Sequence, residues 1–255
     1  MKIFIAAHKK FNPPASDIYV PLHVGAEGKQ DLGYLKDNTG DNISIKNPYY
    51  CELTGVYWIW KNIKEDVVGL VHYRRYFYKH YLTSKVDEIL NKQDIAELLL
   101  DNDILVAQRG YTWFTNVTDA YNKHHPEGVS DLKLVEQGIQ ELYPDYLDAY
   151  HKIFNGNHYC QFNMWISKKE IFDEYSKWLF DVLSYVENHL EIPLSERSAY
   201  NARVFGFLSE RLMNVWLLKN KQYKVKELPV LNIEESIDRQ KLQSCVKRIF
   251  KGVLG

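Results

Sequence analysis

The chain contains no apolar run of 18 residues, so nothing in it reads as a membrane-spanning helix. Its opening, MKIFIAAHKK, turns polar too soon for a cleaved leader, and a cytoplasmic protein is the expectation. Cysteine is scarce. Cys51, Cys160 and Cys245 are far apart and odd in number, which excludes a disulfide framework and fits a reducing compartment. Charge of one sign is also lacking. With 32 basic and 33 acidic residues the formal charge is -1, so no overall field would draw the protein to nucleic acid. The glycine signatures G-x-G-x-x-G, the Walker loop and G-x-S-x-G are missing, which weakens dehydrogenase, kinase and esterase readings. No His or Cys spacing suits a metal, and His124 and His125 are adjacent, so their rings cannot easily share one ion.

What is present is an aromatic load, with 19 tyrosines and 6 tryptophans. Such rings fill cores, and they also stack on sugars and bases. The composition, 45% hydrophobic and 25% charged, is that of a globular domain. Short apolar runs at 2–7, 66–71, 104–107, 161–167 and 224–230 predict core strands. Residues 11–47, rich in Pro and Gly, predict a long loop of the kind that forms ligand surfaces. Pro48 predicts a helix over 49–62 with Asn47 as N-cap. Further helices are predicted over 86–100, 132–142, after Pro144, and over 168–190 and 202–219, with 110–131 irregular. Strands alternating with helices predict a layered α/β domain. Beyond it, 236–254 carries apolar residues at near-helical spacing with Lys241, Lys247, Arg248 and Lys251 between them. That pattern is a basic amphipathic helix, which would either dock on the core or lie on an anionic membrane.

One stretch carries unusual chemistry. His72-Tyr73-Arg74-Arg75-Tyr76 follows the predicted strand DVVGLV, and ligands of open α/β sheets gather outside the carboxyl ends of strands. Guanidinium groups there can hold a diphosphate through paired hydrogen bonds, or can pair with internal carboxylates. Asp101-Asn102-Asp103 has the Asp-x-Asp form of a metal–diphosphate motif but precedes its strand, so a helix end and a turn are expected instead. Glu210, within GFLSERL, is a candidate general base or a surface ion-pair partner.

Longer strings carry a resemblance. VGAEGK (24–29), TGDNISIKNPYYCELTGVYWIWKN (39–62), GLVHYRRYF (69–77), YNKHH and SDL (121–132), FNMWISKKEIFDEYSKWLFDVL (162–183) and RVFGFLSERLMNVWL (203–217) resemble a family of bacterial capsular and exopolysaccharide glycosyltransferases. That family was long a domain of unknown function and includes galactofuranosyltransferases. The resemblance implies a GT-A-like α/β fold over 1–232, with a mixed central sheet flanked by helices, and a separate tail over 233–255. It implies transfer of a sugar, galactofuranose among the candidates, from a UDP-sugar to a glycan hydroxyl in capsule, exopolysaccharide or O-antigen synthesis.

The resemblance also implies roles. His8 and Lys9 would lie near the nucleotide, and Gly25 and Ala26 would let backbone approach base or ribose. Asp41, Asn42, Ser44 and Asn47 would bind ribose or pyrimidine. His72, Tyr73, Arg74 and Arg75 would hold the diphosphate in place of a divalent metal, with Lys9 or Lys46 adding charge. Asn163 would meet the transferred sugar. His124, His125 and Asp131 would face the acceptor, and Arg203 and Glu210 belong to a late motif, with Glu210 the preferred base. No cofactor is expected, a metal-independent reaction is favoured with a divalent metal as the alternative, and a single displacement would invert the anomeric configuration. The acceptor would be a lipid-linked oligosaccharide at the inner membrane face, with the basic tail making peripheral contact. A non-catalytic carbohydrate-binding module and a nucleotidyl- or phosphotransferase remain as alternatives.

Overall fold

The structure, a computed structural model, describes residues 1–79 and 88–234. The expected tail helix therefore lies outside the described residues. The strands are β1 (Lys2–Ala7), β2 (Tyr19–His23), β3 (Leu35–Lys36), β4 (Val67–His72), β5 (Arg75–Phe77), β6 (Ile104–Ala107), β7 (Arg109–Tyr111), β8 (His158–Cys160), β9 (Trp165–Lys168), β10 (Val225–Leu228) and β11 (Val230–Asn232). The helices are α1 (Asn47–Tyr50), α2 (Leu53–Asn62), α3 (Lys92–Asp101), α4 (Val117–His124), α5 (Val129–Leu142), α6 (Leu147–Phe154), α7 (Lys169–His189) and α8 (Val204–Lys219).

The main sheet runs β10-β6-β9-β4-β1-β2-β3. Neighbours pair in parallel except around β9, which is antiparallel to both β4 and β6. Because β9 runs the other way, its start lies at the same edge of the sheet as the ends of β4 and β1. β1 shows why the sheet is buried on both faces. Ile3, Ile5 and Ala7 belong to one core cluster, with Val71, Tyr76, Ile95 and Leu105. Phe4 and Ala6 point the other way, into a larger core with Val68, Leu70, Trp165 and residues of α2, α5, α7 and α8. Successive strand side chains alternate faces, so a continuous apolar run is what two buried faces require. The result is a mixed, mostly parallel sheet between helical layers.

Several elements depart from expectation. The long loop over 11–47 contains β2 and β3. Pro21 sits inside β2 opposite Ile5, and β3 pairs only with Leu22 and His23, so the missing Pro21 N–H is not needed by a ladder. The expected helix 49–62 is split at Cys51, whose backbone is left-handed (φ 52°). The expected strand 161–167 forms only from Trp165, as β9; Phe162 and Asn163, again with positive φ (76° and 50°), kink the chain between it and β8, which ends at Cys160. Segment 110–131 contains β7 and α4. The helix expected over 86–100 is observed as α3, closed by a reciprocal capping box between Asn91 and Asp94. Asp101 ends that helix, and Asp103 accepts from the Lys224 amide at 2.8 Å, so the Asp-x-Asp string is a helix end and a turn.

Candidate active site

A cleft of about 730 Å³ opens at the carboxyl ends of β1 and β4. Its walls come from those strand ends, the β2–loop junction, the α1–α2 break, the segment leading into β9 and the first turns of α8. HYRRY forms one wall. β4 does not run out into a loop there; it turns through Tyr73 and Arg74 into β5, with His72 paired to Arg75. The hairpin is anchored when β5 pairs with β11. Both arginines therefore sit on a short, doubly paired ribbon at the cleft mouth.

Four cationic side chains line the cleft, Lys29, Arg74, Arg75 and Arg203, facing two carboxylates, Glu52 and Glu210. The Arg75 guanidinium stands over the Phe162 ring at 4.5 Å. Arg74 reaches Glu234 at 3.4 Å, and Lys9 reaches the same carboxylate at 3.2 Å, so one exposed glutamate spans two cations beside the opening. Lys9 also lies 4.8 Å over the Tyr73 ring, and His8 meets that ring edge-on at 5.1 Å. Burial and then the Lys9 charge push the His8 imidazole below its ordinary range. Arg203 donates to Cys51 Sγ at 3.2 Å, and burial pushes the Cys51 thiol up to about 11. Raised in this way, Cys51 favours its thiol form at neutral pH.

The floor is held by strained backbone. Among the described residues, four non-glycine residues have positive φ, and three of them, Cys51, Phe162 and Asn163, are at this cleft. Such strain persists where the surroundings over-determine it, and it clusters at functional sites. Here the surroundings are identifiable. The Phe162 amide donates to Glu210 Oε1 at 3.1 Å, and His72 Nε2 donates to the Phe162 carbonyl at 2.5 Å. Asn163 Nδ2 donates to Glu52 Oε1 at 2.7 Å and to the Gly206 carbonyl at 3.3 Å. Burial holds His72 below its usual imidazole range, against the pull of the Glu52 charge and its own bond to the Phe162 carbonyl. Glu210 accepts a second bond from Arg211 at 3.3 Å. Burial, with the Glu52 charge adding to it, raises the Glu210 carboxyl above the ordinary carboxylate range; Arg211, the Phe162 amide and Arg75 oppose that rise without cancelling it. A carboxylate so poised is suited to take a proton.

His8, Asn47, His72, Tyr73, Arg74, Arg75, Arg203 and Glu210 thus converge on one cleft. Asn163 supports its floor, 4% exposed, with Oδ1 lacking a hydrogen-bond partner. Other expected residues are engaged elsewhere. The Gly25 and Ala26 amides both donate to the fully buried Asp37, at 2.7 and 3.0 Å, and Ser44 Oγ donates to the same carboxylate at 2.5 Å. Gly25 (φ 64°) makes room for Asn47, whose Cγ would lie 2.2 Å from an added Cβ. Asp41 accepts from Tyr57, Asn42 closes its own turn with Ser44, and Lys46 pairs with Glu187 at 2.7 Å. Asp131 is locked in a bidentate pair with Arg197 (2.5 and 2.8 Å), both side chains fully buried, and it does not line the cleft. His124 is exposed at the end of α4. His125 is buried against Phe207 (4.1 Å) and Tyr200 (5.3 Å), which also touch each other (5.1 Å), and burial pushes it down to about 4. Phe207 in turn lies 5.5 Å from the Arg203 guanidinium, so this aromatic shelf extends from the cleft edge.

Sequence reasoning missed Lys29, Glu52 and Phe162. Lys29 stands at the end of the VGAEGK string, which was its available signal. Glu52 was legible only as an early helical residue; the break at Cys51 is what brings it to the cleft. Among the described residues, no group of three or more His, Cys, Asp or Glu is placed to hold a metal ion, and no helix is long and apolar enough to cross a membrane. A cavity of about 790 Å³ between α3 and β10 is larger, but it runs along the sheet edge, away from the converging strand ends.

Fold and cleft together define an α/β protein whose parallel strand ends present a cationic pocket floored by two carboxylates. The chain belongs to the DUF4422 family, described as a domain of unknown function, whose family model matches residues 2–221. It is similar to a solved structure of WbbM, a bifunctional glycosyltransferase in its apo form, with 32% sequence identity and a TM-score of 0.85. That likeness covers 92% of this chain and 45% of WbbM, so the chain spans less than half of that protein. No curated protein matches.

Proposed function

We propose that this chain transfers a sugar from a nucleotide-diphosphate sugar to a hydroxyl of a glycan acceptor. The observation that carries the reading is the convergence of Arg74, Arg75, Arg203 and Lys29 with the proton-poised Glu210 in one cleft at the strand ends. The likeness to a glycosyltransferase supports it. Guanidinium groups match phosphate oxygens in geometry and charge. They stabilise the negative charge that grows on the departing diphosphate as the sugar–oxygen bond breaks. Glu210 takes the proton of the acceptor hydroxyl as that oxygen bonds to the anomeric carbon. One displacement from the opposite face inverts the configuration.

The family resemblance suggests a uridine diphosphate sugar, with UDP-galactofuranose the first donor to try. The Phe207 and Tyr200 rings, backed by the buried His125, offer apolar faces on which acceptor rings can stack. A lipid-linked acceptor and membrane contact through the basic tail are part of the same reading, motivated by sequence alone. The test is donor hydrolysis and transfer measured with and without EDTA. Activity that survives EDTA and disappears in Glu210→Gln supports the reading. Absence of any uridine nucleotide binding would favour a carbohydrate-binding module, and a product bearing a phosphoryl or nucleotidyl group would favour the phosphotransferase alternative.

A further inference from the structure

The fourth strained residue lies outside the cleft. Trp113 has φ 52°, an uncommon setting for a bulky residue. The tight turn around it is clamped at its base. The Thr112 amide donates to the Asn157 carbonyl at 2.8 Å, the Thr112 hydroxyl donates to the Thr115 carbonyl at 2.5 Å, and the Thr115 amide donates to the Trp113 carbonyl at 2.5 Å. This rigging presents rings to solvent rather than burying them: Trp113 is 43% exposed and Phe114 fully exposed. Both line a cavity of about 700 Å³ with Tyr111, Asn116, Asn155 and Asn157. That volume is in the range of small-ligand sites.

We propose that this platform binds a neutral saccharide. Among the described residues lining it, none carries a formal charge. Sugars present patches of C–H groups, polarised by neighbouring oxygens, that favour the electron-rich face of an aromatic ring. Around those patches they carry hydroxyls that both donate and accept, which asparagine amides match. An aromatic floor beside the Asn155 and Asn157 amides is suited to that combination; the Asn116 amide is spent on capping α4, its Oδ1 accepting from the Asp119 amide and its Nδ2 donating to the Asp119 carboxylate. An anionic bilayer would be expected to select lysine and arginine around exposed rings, and the lining has none. Backbone strain held in a solvent-facing turn is also a mark of binding loops.

The platform is linked to the cleft by one strand. β7 pairs with β8, with Tyr111 opposite His158, and β8 continues into Phe162 at the cleft wall. From Asn157 to Phe162 an extended chain spans at most roughly 17 Å. If the sugar-transfer reading holds, the saccharide is a distal part of the acceptor glycan, and this identity rests on that reading; binding itself does not.

The experiment is saturation-transfer NMR of the whole protein without nucleotide, using a panel of neutral trisaccharides built from glucose, galactose, mannose or rhamnose. At least one trisaccharide should bind, and Trp113→Ala and Phe114→Ser should each weaken it by about tenfold. Arg75→Ala should leave it unchanged. Phe114 is fully exposed, so its replacement leaves the fold intact. Absence of binding to any trisaccharide, or binding that survives both substitutions, overturns the proposal. So does co-sedimentation with phosphatidylcholine vesicles that Phe114→Ser abolishes, which would assign the rings to a bilayer. Uridine diphosphate binding, followed by thermal shift, reports on the cleft separately, so the two readings can fail independently.

Discussion

Replacing Arg75 by alanine isolates the cation that the fold holds most firmly at the cleft. Arg75 lies in β5, paired on one side to His72 and on the other to Asn232, with its guanidinium over Phe162. Hydrogen bonds to charged groups contribute about 1.5–3 kcal/mol, so loss of the guanidinium should weaken uridine diphosphate binding by roughly ten- to 150-fold. The cost to folding is much smaller. The cation–π contact with Phe162 is worth about 0.5–1 kcal/mol, a fall in melting temperature of about 1–4 °C. Arg74→Ala should lose less affinity, because its side chain is 39% exposed and already shared with Glu234. The assay is calorimetric titration of uridine diphosphate into each variant at fixed ionic strength, alongside thermal unfolding without ligand. Affinity within twofold of wild type for Arg75→Ala, with the fold intact, would refute the diphosphate assignment. A collapse of stability with no change in affinity per folded molecule would recast Arg75 as a structural residue.

Five further outcomes are expected. Glu210→Gln keeps an acceptor for the Phe162 amide but cannot take a proton, so turnover should drop about 10²–10⁴-fold. In wild type the acid limb of kcat/KM should lie above pH 4.5; a limb at or below the ordinary carboxylate value would count against Glu210 as the base. The stability sign follows from the same shift. A raised folded-state value means the contribution is present below pH 4.5 and is lost as pH rises through the raised value, so Glu210→Gln should gain melting temperature over wild type with rising pH across that window. Asp131→Ala should leave Arg197 buried without its partner and cost about 3–5 kcal/mol, roughly 6–20 °C in melting temperature, with uridine diphosphate affinity unchanged. A stable variant with impaired acceptor use would instead restore Asp131 to the acceptor site. Glu234→Gln should raise nucleotide affinity modestly at low salt by freeing Lys9 and Arg74, an advantage that fades at high salt; no gain at low salt would remove Glu234 from any role at the mouth.

The sequence alone determined the layered α/β plan, because two-faced burial leaves unbroken apolar runs in β1, β4 and β6, and one-faced burial leaves helical stripes. It also located the arginine pair and Glu210, since a polar cluster after a core strand and a carboxylate in an apolar helix stand out locally. Tertiary structure decided which candidates meet. Asp131 looked as eligible as Glu210 until burial paired it with Arg197, 66 residues away in the chain. Gly25 and Ala26 looked open to a ligand until Asp37 claimed their amides. Glu52 and the Phe162–Asn163 kink reached the cleft through left-handed backbone that no periodicity announces. Local pattern reports which face of an element avoids water; long-range hydrogen bonds decide which polar groups are already satisfied, and those left facing a cleft are the ones able to bind or react.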